Sequence, residues 1–336
     1  MLGTRGKRQR GRRAQVAMLA LALLLGALLS SCGTSAAQQE RSSSSSSNGQ
    51  QHVMLHAAAV GVPGLAASTR VWLSCASRTF CALISEKAQY WTWDGTAWGA
   101  AAPLPVTASA GDAGQVSCTS ATFCLASFGS ATMRYDGQHW QITRAGSWSP
   151  GGGVAVLACA GPRWCVAGPS GSAATAVSTW DGTSWMTSVL TLAGLPTAIG
   201  CAHDGVTCGI ATGKDVYVHS ASGWHDEPMS TPLDVSCASA MFCLAGTGGK
   251  AERYDGSSWS VTDGELIGAL SCSSASFCLG ISGSDYLVWS GRSWARGDAL
   301  PASTDYEFKT AGAQATCPAD GWCMVAADSA VSVLTR

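Results

Sequence analysis

Short runs in which apolar and polar residues alternate recur along the chain from about residue 70 to its end. In ATMRYD, residues 131–136, Ala131, Met133 and Tyr135 fall on one side and Thr132 and Arg134 on the other, the period of a β-strand. SAVSVLTR, near the C-terminus, is another strand-like run. Asp-Gly breaks mark tight turns, and at Asp94, Asp136, Asp181 and Asp255 two further residues lead to a Trp that opens the next strand.

The alternation belongs to a larger repeat. Cys75, Cys118, Cys159, Cys201, Cys237, Cys272 and Cys317 are spaced by 43, 41, 42, 36, 35 and 45 residues. Each has a partner shortly downstream: Cys81, Cys124, Cys165, Cys208, Cys243, Cys278 and Cys323. A small residue precedes every first cysteine: Ser74, Ser117, Ala158, Gly200, Ser236, Ser271 and Thr316. An aromatic residue precedes the second in six units, and then come WDGTAW, YDGQHW, WDGTSW, HSASGW, YDGSSW and WSGRSW. Each unit reads as four strands, a to d, with the cysteines on a and b. A four-stranded unit of about forty residues repeated seven times predicts an all-β, seven-bladed β-propeller, because one such sheet cannot cover its own faces but a ring of them can.

The seventh unit stops before its Asp-Gly-x-x-Trp turn and so lacks an outer strand. HVMLHAAAVGV, residues 52–62, is the remaining apolar segment and is expected to supply that strand beside Val331–Leu334, as in propellers closed by both termini. The propeller is therefore expected to span 52–336.

The fourteen repeat cysteines form seven pairs across short hairpins, and only Cys32 is left over. Structural zinc needs four converging ligands, which radially separated pairs cannot supply, and Cys-x-x-Cys is absent. Seven structural disulfides are expected, each adding about 2 kcal/mol through loop closure.

The N-terminus reads as an address. Six basic residues, Arg5 to Arg13, precede the uncharged apolar run Val16–Leu29, which is too short to span a bilayer and suits a signal peptide over 1–31. Residues 32–51, with six consecutive serines, lack the apolar surface to fold and are expected to be a flexible tether. Removing the six leader cations from the chain's 20 basic residues leaves 14 against 21 acids, a net charge of about −7. That balance gives no footprint for nucleic acid.

Leu29-Ser30-Ser31-Cys32-Gly33 resembles the lipobox of bacterial lipoproteins. The resemblance implies that Cys32 is lipidated, with acyl chains of the palmitate kind, and anchors an extracytoplasmic protein to the cell membrane. The Asp-Gly-x-x-Trp turn is similar to a compact Asp-box of sialidase-like propellers, which implies that Asp94, Asp136, Asp181 and Asp255 cap turns remote from any active site. The whole repeat over residues 70–336 resembles those of secreted proteins of high-GC Gram-positive bacteria.

Function is expected where the repeats differ. The distance from blade Trp to the next first Cys runs 20, 19, 16, 13, 13 and 23 residues, so the long connections enter blades 2, 3 and 7. They carry Arg144, Trp148, Arg296, Asp298, Asp305 and Tyr306 as candidate binding residues. His203, His219 and His225 share one unit but fit no zinc spacing. No metal, cofactor or catalytic motif is read in the chain. The expectation is a monomeric, membrane-anchored binding or assembly module for a protein or envelope glycan, not an enzyme. The competing expectation is a carbohydrate hydrolase or lyase in the central channel, which requires two carboxylates, or Arg, Tyr and an acid, at the axis.

Overall fold

A computed structural model describes residues 54–109, 112–144, 153–170, 176–264, 268–301, 313–327 and 329–336. The leader, Cys32, the tether, Trp148, Asp305 and Tyr306 lie outside the described residues. Among those residues, twenty-eight strands form seven four-stranded antiparallel sheets and no helix occurs. Blade 2 is typical, with strands a to d at Gly114–Ser120, Phe123–Phe128, Ala131–Tyr135 and Trp140–Arg144. The other a strands are Val71–Ser77, Val154–Gly161, Ala198–Cys201, Pro232–Ser239, Leu270–Ser274 and Ala313–Ala319, in blades 1, 3, 4, 5, 6 and 7. Each packs against the a strand of the next blade, and blade 7 against blade 1, so the ring closes.

Both faces of every sheet meet a neighbour, so the core is divided into seven wedges, one per blade interface. This explains why strand b of blades 1, 2 and 5 is buried at every position rather than alternating. The aromatic residue before the second cysteine reaches into the following wedge. Phe80 stacks on Tyr135 of blade 2 at 6.1 Å, Trp164 stacks on His219 of blade 4 at 4.5 Å, and Trp322 joins Trp93 and Trp98 of blade 1. Each blade Trp in turn packs on the aromatic that precedes its own turn, with centroids 4.9–5.7 Å apart from Trp93–Trp98 through His219–Trp224.

The Asp-Gly turns behave as the sequence implies. Asp94 Oδ1 accepts the N–H groups of Thr96 and Ala97 at 2.8 Å, and Asp136, Asp181 and Asp255 do the same in their blades. The glycine after each Asp has φ between +97° and +104°, which a residue with a Cβ rarely adopts. Blade 4 replaces the turn aromatic with His219. Its Nδ1 bonds the carbonyl of Val206 at 2.9 Å, just as the indole N–H of Trp93 donates to Arg78 and that of Trp289 to Ala275.

The ring is closed by His56–Ala59, which pairs with Ala330–Thr335 as the outer strand of blade 7, His56 opposite Thr335 and Ala59 opposite Ser332. Three of its four side chains are alanine and most of it is exposed, so backbone bonds alone hold it weakly. Leu55 supplies the anchor, buried in the wedge between blades 6 and 7, while the hydroxyl of Tyr286 donates to its carbonyl. Farther along, Val60 N–H donates to Val331 at 2.8 Å and the Trp91 indole to Pro63 at 2.8 Å.

Leu55→Ala is therefore expected to cost about 2–4 kcal/mol in urea unfolding. Deletion of residues 51–62 should lower the thermal midpoint of the whole ring, and an unchanged midpoint would refute this account of closure.

Candidate functional site

The seven a strands surround a central channel with a cavity of about 220 Å³. A cysteine on strand a faces its bonded partner on strand b, for example Cys118 opposite Cys124, with Cα atoms 3.9–4.2 Å apart across the seven bridges. In this narrow kind of cross-strand pair the backbone N–H points away from the partner strand. The first cysteine of each blade thus offers an N–H to the neighbouring blade.

The small residue before the first cysteine receives it. The N–H of Cys118 donates to Ser74 Oγ, Cys159 to Ser117, Cys272 to Ser236 and Cys317 to Ser271, all at 2.9 Å. Cys75 donates to Thr316 Oγ1 at 3.0 Å, across the closing joint. Two joints differ, because Ala158 and Gly200 have no hydroxyl. Gly200 is also fixed by space: a Cβ there would run into the Val235 carbonyl and the Ser236 Cα, so blades 4 and 5 approach closely.

One turn deeper, side chains make a second set of joints. Gln314 Oε1 accepts Leu73 N–H at 2.6 Å, and Asp234 Oδ2 accepts Leu270 N–H at 2.7 Å while its Oδ1 accepts Val235 N–H at 2.8 Å. Asp234 is the one carboxylate among the described channel-lining residues. Desolvation inside the ring pushes it up to about 7, against the pull of its two N–H donors. His203 lines the channel where strand a of blade 4 ends; burial lowers its pKa and Asp204 opposes that shift. Neither pairing required for hydrolysis, two carboxylates or Arg with Tyr and an acid, occurs among the described lining residues. Among the described residues no three His, Cys, Asp or Glu side chains converge to hold a metal ion. His219 and His225 are engaged locally, the latter with Ser222 Oγ at 2.9 Å.

The three described candidate binding residues lie on strand d of two blades, Arg144 in blade 2 and Arg296 and Asp298 in blade 6, while Trp148, Asp305 and Tyr306 lie outside the described residues. Arg144 is the last residue of strand d in blade 2, not part of the connection that follows. Arg296 and Asp298 were expected in a long loop, but they lie in strand d of blade 6, Trp294–Ala299. The strand extends that far because Gly297 leaves room for the Tyr286 ring, which a Cβ would overlap. Arg296 is held by Asp285 across the strand pair at 2.5 Å. The channel-side partners Ser74, Ser117, Ser236, Ser271, Thr316, Asp234 and Gln314 carry the joints, and their role is not evident from residue type alone. The only signal was the constancy of a small residue before each first cysteine.

Comparison with known proteins bears on the fold. No protein-family model and no curated protein matches the chain. Solved propellers do. "YCF48 bound to D1 peptide" aligns with a TM-score of 0.61 at 14% identity, over 83% of this chain and 97% of that one. "YCF48 from Cyanidioschyzon merolae" gives 0.58 at 12%, over 83% and 98%. "Structure of U3-55K" gives 0.62 at 11%, over 83% and 98%. At these identities the likeness shows the β-propeller fold.

Two sets of outcomes follow from the joints. Ser117→Ala should cost about 1 kcal/mol by orphaning the Cys159 N–H, whereas Ala158→Ser should recover a similar amount at an open joint. Gly200→Ala should cost about 1–3 kcal/mol through overpacking. Asp234 predicts a pH dependence. Its folded pKa lies above the unfolded value near 3.9, so ionisation burdens the folded ring more than the unfolded chain. Stability should decline as pH rises from about 4 to about 7. Thermal midpoints of Asp234→Asn should lack that decline, so the variant gains on the parent toward pH 8; parallel curves would refute it.

Proposed function

We propose that this protein is an extracytoplasmic binding and assembly module, anchored to a membrane through Cys32 and presenting a propeller face to a partner protein or an envelope glycan. One observation carries the reading. Seven polar side chains of the inner strands, Ser74, Ser117, Ser236, Ser271, Thr316, Asp234 and Gln314, are committed to inter-blade bonds, which makes the channel a structural axle and points to the faces as the surfaces for a partner. Seven disulfides accord with an oxidising compartment outside the cytoplasm. One of the similar propellers was solved with a peptide, which supports peptide or protein binding over catalysis.

The test uses the full chain in its native membranes. A fatty-acid probe should label the parent and not Cys32→Ala, and detergent partitioning should follow the label. In-cell cross-linking should recover a defined envelope protein or glycan. Turnover of an envelope glycan by the purified chain, with no cross-linked partner, would favour the hydrolase instead.

A further inference from the structure

Seven large apolar side chains are exposed among the described residues: Met54, Ile142, Met186, Leu195, Leu233, Met241 and Val261. Two of them converge on one backbone knot. Leu233, 44% exposed, follows Pro232, the first residue of strand a of blade 5. The carbonyl of Pro232 accepts Gly213 N–H at 3.1 Å from the b–c turn of blade 4 and Thr197 Oγ1 at 3.3 Å. Leu195, 42% exposed, lies two residues before Thr197. Pro232 is also the cross-strand partner of Thr247, at the b–c turn of blade 5. Both leucines therefore stand on the face formed by the b–c turns and the d–a connections, where the short connections of this sector leave them uncovered.

The same knot places cations beside them. Lys214 follows Gly213 in the blade 4 turn, and Lys250 closes the blade 5 turn as the partner of Thr247; both are exposed. Asp234, beside Leu233, is turned to the N–H groups of Val235 and Leu270. Asp215 and Glu252 are half-buried within the c strands, and the exposed Asp226 and Glu227 lie on the outermost strand of blade 4. Thr231, immediately before Pro232, is held at φ +51°, one of three non-glycine residues with positive φ among those described. Such strain persists only where surrounding structure enforces it, so the ledge is preset rather than adaptable. In a chain whose folded part is acidic, an apolar pair flanked by lysines selects for an opposite charge.

We propose that Leu195 and Leu233, with Lys214 and Lys250, form a docking ledge for an acidic peptide segment of a partner protein. The segment places apolar side chains against the two leucines and carboxylates against the two ammonium groups. The proposal rests on the reading of this protein as a binding module and names the surface that it uses.

The test is selection from a random displayed-peptide library against the full chain, followed by fluorescence titration of the selected peptides. Two variants accompany the parent, Leu195→Ser/Leu233→Ser and Lys214→Glu/Lys250→Glu, each required to keep the parental thermal midpoint. Selected peptides should combine leucine-like residues with Asp or Glu and should lose about tenfold or more in affinity for either variant. Replacing their acids with lysine should restore binding to the Lys→Glu variant. Peptides that bind both variants as well as the parent overturn the ledge and leave the binding-module reading standing. Failure of the parent to select any peptide overturns the ledge and removes support for peptide recognition as such. Attachment to phosphatidylcholine vesicles only when phosphatidylglycerol is added, lost in the Lys→Glu variant and with no peptide selected, overturns it in favour of a membrane surface.

Discussion

The fold depends on what happens to one N–H per blade. Bonding the first cysteine across its hairpin sets it in a narrow cross-strand pair, and its N–H is then aimed at the neighbouring blade instead of its own sheet. A buried donor without an acceptor costs about 1–3 kcal/mol, so the ring needs an acceptor at the same height in each preceding blade. Serine or threonine one residue before that blade's own cysteine provides it at five joints. Disulfide and joint are thus adjacent on the same strand. The bridge fixes the hairpin, and the hydroxyl beside it fixes the hairpin to its neighbour.

Blade 4 is where this arrangement gives way. Its flanking joints lack the hydroxyl, its strand a is only Ala198–Cys201, and the residue before its second cysteine is Thr207 rather than an aromatic. Compensation comes from elsewhere. Gly200 lets blade 5 press close, and Thr197 bonds both Ala211 and Pro232, so blades 4 and 5 are joined near the opposite face instead. Asp234 then bridges blade 5 to blade 6. The sector that departs most from the repeat is also the one whose backbone crosses at Pro232.

Much of this was legible in the sequence, for a physical reason. Blade number, cysteine pairing and the Asp-Gly turns repeat, and repetition raises a local signal above chance. Closure by residues near His56–Ala59 could be inferred because an incomplete seventh unit leaves an unpaired edge that something must cover. The inter-blade role of Ser74 and its equivalents was not legible, since a hydroxyl that bonds a backbone thirty-six or more residues away looks like any small residue in its own strand. Position along the chain also misled. Arg296 and Asp298 sit within a long interval between repeat landmarks, yet the strand continues through them because Tyr286 packs over Gly297.

Connection length is likewise an unreliable guide to where a propeller exposes apolar surface. Long connections can fold back over the rim and bury their own side chains, as Leu104 does in the connection leading to blade 2, bonded through its N–H to the Ala88 carbonyl. A short connection has no such slack. Between blades 3 and 5 the chain must turn from outer to inner strand within a few residues, and the backbone spends its hydrogen bonds on Pro232, Ala211 and Thr197. Side chains caught at that crossing point outward because the inward directions are already filled by Pro196 and Met229, both buried. Leu195 and Leu233 are exposed for that reason, and a surface imposed by backbone closure is also a rigid one.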